Sequence, residues 1–472
     1  MSPEAVANRF GRIAPARTRA KRAPRIAPPA PSASDPACMT AATYCAIDFG
    51  TSNSAIAVPD GDGMRLVELE PGFATMPTAV FYPGEGDRRS GPAAPPCEFG
   101  RAAVAAYVDG LDGRLMRSMK SILGSSLVEQ TTDVGGGRGV PYLEVVATYL
   151  RHLRSRAEAT VGATIERAVI GRPVFFVDGD PARDAQAESA LRRSAVSAGF
   201  REVVFQYEPI AAAFDYEQTT DIEQSVLVAD IGGGTSDFSV VRVGPDRRSR
   251  VDRKDDILAS HGVHIAGTDF DRRIELQNVL PLFGYNALGP QVDGAPAREV
   301  PSAVYFDLAT WHLINTVYNP QRVFELRGMR SFYADPAHHK RLMTVVTDHY
   351  GHDLVARAEA AKIAVASGGQ ATIVLDHIER GLTTDLDEAR ALRALDGDLD
   401  RIVAAARVTV ADAGLVADDI DALYLTGGST GLDILSERLS DAFPEALVVR
   451  GDRFASVATG LAIFAQRRFA PR

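Results

Sequence analysis

The sequence predicts an α/β protein with two similar lobes that enclose a cleft, and three observations support this prediction. The chain has 472 residues, of which 46% are hydrophobic and 24% charged, which suits a globular protein with more than one core. A strand, a glycine turn and a second strand follow one another near the N-terminus and again about 180 residues later. Segments with the apolar spacing of helices separate and follow these strand pairs.

The first strand pair lies in the segment YCAIDFGTSNSAIAV, which begins at Tyr44. Its apolar first strand ends with Asp48, and a polar turn leads into the second apolar strand. Backbone N–H groups in such a turn can hold an anion, because glycine leaves the main chain accessible. The residues predicted to bind phosphate groups here are Gly50, Thr51, Ser52 and Asn53.

The second strand pair is the segment SVLVADIGGGTSDFSVVRV at residues 225–243. Asp230 stands at the end of its first strand, and the turn that follows consists of Gly232, Gly233, Gly234 and Thr235. A carboxylate beside a polyphosphate requires a cation between them, and hydrated Mg²⁺ is the usual one. We therefore predict that Asp48 and Asp230 hold Mg²⁺ through water. An ordinary glycine-rich hairpin with a solvated aspartate is the alternative interpretation.

The other elements are predicted from spacing and turn residues, in chain order. Residues 64–80 form short strands around a Pro-Gly turn, and residues 83–96 form a loop. Helices are predicted for residues 141–160, 184–199, 210–217, 353–367 and 451–466. Strands are predicted for residues 167–177, with an interruption at Gly171-Arg172-Pro173, and for residues 203–205. Residues 423–431 form a strand, a Gly-Gly turn and the start of a helix.

A basic stripe lies within residues 114–124. Arg114, Arg117 and Lys120 recur at intervals of three, as on one face of a helix. A solvated helix face is the simplest interpretation.

The first 38 residues differ in composition from the rest of the chain. They contain seven basic residues, two acids and many Ala and Pro residues, which cannot build a core. We predict a disordered tail over residues 1–40. A transit peptide, or a true translation start at Met39, is the alternative.

Composition argues against several classes of protein. The three cysteines, Cys38, Cys45 and Cys97, lack CxxC spacing, which argues against a disulfide framework and favours a reducing cytoplasm. No run of about 18 apolar residues is present, so no membrane span and no membrane partner are predicted. The net charge of −10 argues against a nucleic-acid partner.

The two hairpins resemble the phosphate loops of the actin, sugar-kinase and 70-kDa heat-shock protein superfamily, and are most similar to those of the DnaK-type chaperones. Further motifs follow in the order of that family: RSMKSILG, YEPIAAAFDYE, IAGTDFDRRI, ARAEAAKIAVAS and LYLTGGSTGL. The resemblance covers residues 41–469. It implies the actin-like ATPase (ribonuclease H-like) fold, with ATP or ADP and Mg²⁺ bound between two lobes.

The resemblance also implies a catalytic group. Lys120 matches the family's phosphate-contacting lysine, and Glu208 matches its active-site glutamate. Asp237 matches a second acid on the second phosphate loop. The remaining members of this predicted group are Asp48, Asp230 and Thr235. A first-turn residue that interacts with the helix dipole is the alternative for Glu208.

The last motifs imply the adenosine site. The residues that match it are Gly267, Glu359, Lys362, Gly427, Gly428 and Ser429. Ile363 replaces the arginine that stacks on adenine in the family, and Ala366 replaces a serine that bonds it, so weaker adenine binding is expected. A surface ion pair is the alternative for Glu359 and Lys362.

The chain departs from the family in two places. The 88 positions from Asp271 to Glu359 exceed the family's spacing, which predicts an insertion at about residues 276–352, as in YegD-type members. The histidines of this segment lack metal-binding spacing and are predicted to be ordinary surface residues: His312, His338, His339, His349 and His352. Few residues follow Phe469, so no peptide-binding domain is expected.

The predicted organisation is the tail at residues 1–40, lobe I at 41–224, lobe II at 225–450 and a C-terminal helix within 451–472 that returns to lobe I. The predicted function is that of a chaperone-like ATPase whose nucleotide state opens and closes the lobes. A metabolite kinase and an actin-like filament protein on the same fold are the alternatives. The predicted partners are nucleotide and a protein partner or co-chaperone.

Overall fold

The computed structural model describes residues 43–84, 97–134, 138–177, 179–250, 252–291, 296–452 and 455–470. The predicted tail at residues 1–40 and most of the predicted loop at 83–96 lie outside the described residues. Within this part of the chain, no helix is long and apolar enough to cross a bilayer.

The strands, in chain order, are β1 (Thr43–Phe49), β2 (Asn53–Asp60), β3 (Gly63–Leu66), β4 (Thr75–Pro77), β5 (Ala79–Pro83), β6 (Glu98–Phe99), β7 (Gly113–Arg117), β8 (Thr131–Asp133), β9 (Gly139–Pro141), β10 (Ile165–Arg172), β11 (Glu202–Tyr207), β12 (Gln224–Ile231), β13 (Ser236–Val243), β14 (Ile257–Val263), β15 (Gln370–Val374), β16 (Thr383–Asp387), β17 (Ala422–Thr426) and β18 (Leu447–Arg450). The first large sheet has the order β11-β10-β1-β2-β3, and β4 also pairs with β2. The second has the order β14-β13-β12-β17-β18.

The two large sheets share one topology. Each central strand, β1 or β12, pairs antiparallel with the strand that follows it and parallel with a later strand, β10 or β17. The outer strands β11 and β18 extend each parallel half, and β3 and β14 extend each antiparallel half. This arrangement confirms the predicted α/β fold class, in which two similar lobes each contain a mixed sheet.

The central strands form where the sequence has unbroken apolar runs. In β1 the residues from Tyr44 to Ile47 are all buried, and in β12 the residues from Val226 to Ala229 are all buried. Strands covered on both faces require such runs instead of an alternating pattern. The acids Asp48 and Asp230 follow directly, so each carboxylate stands at the same end of its sheet.

The α-helices are α1 (Gly100–Val108), α2 (Met119–Ile122), α3 (Tyr142–Val161), α4 (Pro181–Ser197), α5 (Glu208–Glu217), α6 (Gly267–Ile274), α7 (Ala303–Leu308), α8 (Ile314–Val317), α9 (Pro320–Gly328), α10 (Pro336–Thr347), α11 (Gly351–Ala364), α12 (Glu388–Asp412), α13 (Asp433–Ala442) and α14 (Ser456–Phe469). A π-helical turn, Glu275–Val279, continues α6. Short 3₁₀ turns connect several elements, among them Gly428–Gly431 after β17.

Separate hydrophobic clusters cover the two sheets. One packs α3 and α4 onto the first sheet through residues such as Leu150 and Leu191. Another packs α6, α11 and α12 onto the second sheet through residues such as Phe270 and Leu399. A further cluster joins both sheets, because α5 and α14 place side chains such as Leu461 among residues of β1, β10, β12 and β17. The two sheets are thereby held together through α5 and α14.

Two expectations for side-chain positions are wrong. The basic stripe is not one helix face, because Arg114 and Arg117 lie on β7 and only Lys120 lies on a helix, α2. The pairing of β7 with β5 overrides the helical spacing of the three basic residues. The histidines of residues 276–352 are not all on the surface, since His339 and His352 are buried.

Candidate functional site

The turns after β1 and β12 face each other across a cleft. The Oγ atom of Ser52 lies 2.6 Å from the position that a Cβ atom on Gly233 would occupy. Any side chain at Gly233 would therefore collide with the first turn. Glycine at this position leaves room for the Ser52 side chain.

Neighbouring hydroxyl groups hold both turns in place. The Oγ1 atom of Thr78 donates to the carbonyl of Gly50 at 2.8 Å. The Oγ atom of Ser429 donates to the carbonyl of Gly232 at 2.7 Å, and Thr268 donates to the carbonyl of Gly233 at 2.6 Å. Each turn is thus fixed through its carbonyl groups by a different element. A fixed turn presents its donors without reorganisation when an anion arrives.

An ion pair lies at the centre of the cleft. The Nζ atom of Lys120 on α2 donates to the Oε1 atom of Glu208 at 2.5 Å. Their side chains are only 10% and 14% exposed. Burial lowers the pKa of Lys120, but the nearby Glu208, Asp48 and Asp237 outweigh this effect and raise it. Lys120 therefore carries its positive charge among carboxylates.

The two acids predicted to hold the metal both have raised pKa values. Burial raises the pKa of Asp48 to about 8, and the charges of Glu208 and Asp230 add to this effect while Lys120 opposes it. Burial also raises the pKa of Asp230 to about 7, with contributions from Asp237 and Glu208. Without a further cation, Asp48 and Asp230 therefore retain protons near neutral pH.

These carboxylates fit a hydrated divalent cation better than a directly coordinated one. The described residues contain no group of three or more His, Cys, Asp or Glu side chains able to surround a metal ion. Mg²⁺ commonly keeps several waters and uses one or two carboxylates together with phosphate oxygens. Asp48 and Asp230, one near the end of each central strand, suit that mode of binding, because a cation between them would favour their ionised forms.

The far end of the cleft is built by the loop after β17 and by α11. Gly427 has φ +86°, and a Cβ atom there would lie 2.7 Å from Oδ1 of Asp230. Left-handed backbone in this confined place requires glycine. Gly428 and Ser429 continue from it in a 3₁₀ turn. On α11, Glu359 is exposed toward the cleft.

Lys362 has a partner that sequence reasoning did not identify. Its Nζ atom lies 2.7 Å from Oδ1 of Asp271 on α6 and donates to the carbonyl of Gly267 at 3.3 Å. The alternative of an ion pair between Lys362 and Glu359 is therefore replaced by a pair between two helices. Burial raises the pKa of Asp271 to about 6, and Lys362 lowers it in part. The only sequence signal was the position of Asp271 in the motif IAGTDFDRRI.

A single cleft of about 1410 Å³ brings the predicted site residues together. Its lining includes all of them: Asp48, Gly50, Thr51, Ser52, Asn53, Lys120, Glu208, Asp230, Gly232, Gly233, Gly234, Thr235, Asp237, Gly267, Glu359, Lys362, Gly427, Gly428 and Ser429. Arg117 and Asp271 also line the cleft and were not predicted to do so. A volume of this size exceeds that of most small-ligand pockets and accommodates a nucleotide with a hydrated cation.

Two sheets of one topology, with glycine turns that meet at a shared cleft, define the actin-like ATPase fold. A comparison with models of protein families matches residues 44–279 to the family described as Hsp70 protein. The match spans half of the 472 residues. The chain belongs to this family of chaperone-like, ATP-binding proteins, which confirms the family predicted from the motifs.

Proposed function

We propose that the chain binds ATP together with Mg²⁺ in the cleft and hydrolyses it to ADP and phosphate. The observation that carries this proposal is the Lys120–Glu208 ion pair, which lies beside both Asp48 and Asp230 where the two turns meet. A buried cation surrounded by carboxylates is suited to act on a polyanion. An ion pair placed only for stability would gain little from extra acids around it.

Lys120 provides the positive charge for phosphoryl transfer. Its Nζ atom lies close to Glu208, Asp48 and Asp237, so its position is fixed before substrate binds. We propose that Nζ donates to a γ-phosphate oxygen as negative charge shifts toward the leaving group. Preorganised donors in a cleft lower the barrier because they need not reorient during the reaction.

Glu208 orients the attacking water. Its Oε1 atom accepts from Lys120, which leaves the second carboxylate oxygen available in position to hold a water molecule beside the γ-phosphate. Thr235 donates from Oγ1 to Oδ2 of Asp237 at 2.8 Å, which fixes a further acid at the start of β13, next to the second turn. We propose that Glu208 accepts a hydrogen bond from the water and that Asp237 supports its alignment.

Asp48 and Asp230 hold hydrated Mg²⁺ in this proposal. When bound, Mg²⁺ neutralises charge on the phosphate groups. The phosphate groups themselves contact the first turn (Gly50, Thr51, Ser52, Asn53) and the second turn (Gly232, Gly233, Gly234, Thr235). The adenosine end is held by Glu359, Lys362 and the turn of Gly427, Gly428 and Ser429, with Gly267 beside them.

Nucleotide binding favours closure of the two lobes. The phosphate groups contact one turn from each sheet, so a bound nucleotide stabilises the arrangement in which both turns face inward. We propose that this change of shape is the output of the protein and that a protein partner or co-chaperone recognises it.

The proposal is tested by calorimetric titration of ATP with Mg²⁺ and with EDTA, together with measurement of phosphate release. We expect the wild-type protein to bind ATP at least tenfold more tightly with Mg²⁺. Asp230→Asn should lose this difference and most hydrolysis. Asp246→Asn changes an exposed acid near the second sheet and serves as the matched control.

Two results would contradict the proposal. Equal ATP affinity of the wild-type protein with Mg²⁺ and with EDTA would remove the metal from the site, and no binding at all would remove the nucleotide. Transfer of the γ-phosphate to a sugar in the same reaction, in place of water, would identify a metabolite kinase.

A further inference from the structure

An aromatic cluster joins two parts of the chain that lie far apart in sequence. Tyr107 on α1 stacks on Trp311, with ring centroids 4.9 Å apart. His352 on α11 contacts both rings, at centroid distances of 5.3 Å to Tyr107 and 5.0 Å to Trp311. The guanidinium of Arg117 on β7 covers the Trp311 ring at 4.2 Å. We call these four residues the aromatic clasp.

Two members of the clasp belong to a preformed surface. Asn315 on α8 lies 3.2 Å from Nε2 of His352, and the backbone N–H of Gly351 donates to the Tyr318 hydroxyl at 2.9 Å. These bonds fasten α8 to the start of α11. Trp311 and His352 are therefore held as one surface, against which Tyr107 and Arg117 pack from the other side.

The clasp connects elements that line opposite walls of the cleft. Arg117 stands three residues before Lys120, and it lines the cleft itself. His352 stands on the same helix as Glu359, about two turns earlier, or roughly 10 Å along the axis. The cleft cannot widen at this end unless β7 and α11 separate. Separation of these elements breaks the contacts of the clasp.

We propose that the aromatic clasp keeps the cleft closed over bound nucleotide and thereby sets the rate at which nucleotide leaves. The inference rests on the proposed function, because it concerns release from the same cleft. The clasp does not touch the reacting atoms, so it governs release and leaves the chemical step unchanged. Its residues come partly from the segment at 276–352, which gives that segment a role in the nucleotide cycle.

The chemistry of the cluster suits a contact that opens and closes. Stacked and edge-on rings attract one another without a covalent or metal link, and a guanidinium over an indole adds a cation–π contact. Burial and the charge of Arg117 lower the pKa of His352 to about 4. His352 is therefore neutral near pH 7, and no second positive charge opposes Arg117 in the closed clasp.

Trp311 is the only tryptophan of the chain, so its fluorescence reports on the clasp directly. We would measure acrylamide quenching of Trp311 and the release of a fluorescent ADP analogue into excess ADP. The test variant is Tyr107→Leu, which removes the stacked ring and keeps apolar bulk. Tyr107→Phe keeps the ring, and Phe324→Leu changes an aromatic residue of the same segment that is 77% exposed.

We expect Tyr107→Leu to release the analogue on the order of tenfold faster, because two ring contacts are lost. Acrylamide should also quench the fluorescence of Trp311 more strongly in this variant. Tyr107→Phe and Phe324→Leu should both release it within about twofold of the wild-type rate, and single-turnover hydrolysis should be the same in all four proteins. Unchanged single-turnover hydrolysis in Tyr107→Leu separates loss of the clasp from misfolding, and Tyr107→Phe shows how much of the effect comes from the hydroxyl that bonds Asn315.

The outcomes distinguish this inference from the proposed function. If the wild-type protein binds nucleotide but Tyr107→Leu releases it at the wild-type rate, the clasp does not control release and the proposed function stands. If the wild-type protein binds no nucleotide, the proposed function is wrong. The inference on release then falls with it, and equal acrylamide quenching of Tyr107→Leu and wild type would show in addition that Tyr107 does not shield Trp311.

Discussion

Replacement of Lys120 by alanine is expected to slow ATP hydrolysis by about 10²- to 10³-fold, equal to about 3–4 kcal/mol in the barrier. The side chain is 10% exposed and its Nζ atom lies 2.5 Å from Glu208. A water molecule that filled the space left by the substitution would not carry the positive charge of the lysine. ATP should still bind, because the two glycine turns and the adenosine end of the cleft are unchanged.

The same substitution should also affect stability without ligand. Removal of one partner of a buried ion pair commonly costs several kcal/mol, because it leaves the other charge unpaired. Here the loss is smaller, since the unpaired Glu208 lines an open cleft that water can enter and Asp48 beside it, with a pKa raised to about 8, is already largely protonated at pH 7. We expect a decrease of about 1–3 kcal/mol in the free energy of unfolding at pH 7.

Single-turnover hydrolysis and urea unfolding measure the two effects separately. Arg114→Ala is the matched control, because it removes an exposed cation from β7 close to α2 and should change neither quantity. Glu208→Gln combined with Lys120→Ala shows whether the two residues act together, since the losses would then not add. A Lys120→Ala protein that hydrolyses ATP within threefold of the wild-type rate would refute the assigned role.

Two further predictions concern α11. Ile363 is 63% exposed and lines the cleft, so an arginine there should stack on adenine and contribute about 1–2 kcal/mol, or roughly 5- to 30-fold tighter ATP binding by calorimetry. Equal ATP affinity of Ile363→Arg and the uncharged control Ile363→Gln would show that adenine does not lie against this helix. The second prediction concerns His352, which faces Arg117 and Tyr107 and has its pKa lowered to about 4 by burial and Arg117. In the unfolded chain this residue binds a proton below about pH 6.5, and in the folded chain it binds one only below about pH 4. The free energy of unfolding should therefore decrease by on the order of 2 kcal/mol as the pH is lowered through this window. His352→Gln should lose this part of the pH dependence in urea unfolding, and a constant difference between the two proteins from pH 7 to pH 5 would contradict it.

The parts of the fold that were predictable depend on local chemistry. Asp48 and Asp230 each stand one residue before the end of a strand, and the glycines that follow disfavour its continuation, so both hairpins were predictable from the sequence. The helix predicted for residues 141–160 is α3, because its apolar spacing matches one buried face. The family motifs then selected residues that all line one cleft, although their roles in catalysis stay predictions until tested.

The features that were missed depend on contacts between distant residues. Nothing near Lys362 in the sequence indicates that Asp271 is its partner, because the pair forms only where α6 meets α11. The stripe of Arg114, Arg117 and Lys120 has helical spacing, but the available partner strand β5 makes the first two residues part of a sheet. The burial of His352 follows from Tyr107 and Trp311, which no short sequence window contains.

If the proposed function is right, the charge of the cleft favours binding of nucleotide and Mg²⁺ together. Asp48, Glu208, Asp230 and Asp237 lie around Lys120, so the phosphate groups of free ATP would add negative charge at a place where Asp48 and Asp230 already retain protons near neutral pH. Mg²⁺ alone would favour the ionised forms of Asp48 and Asp230, whose pKa values are raised, but it would lack the phosphate oxygens that complete its coordination. Each ligand therefore removes the main cost of binding the other. This reciprocity favours the complex of ATP with Mg²⁺ over free ATP, and it requires that removal of the metal weaken ATP binding by the same factor as removal of ATP weakens metal binding.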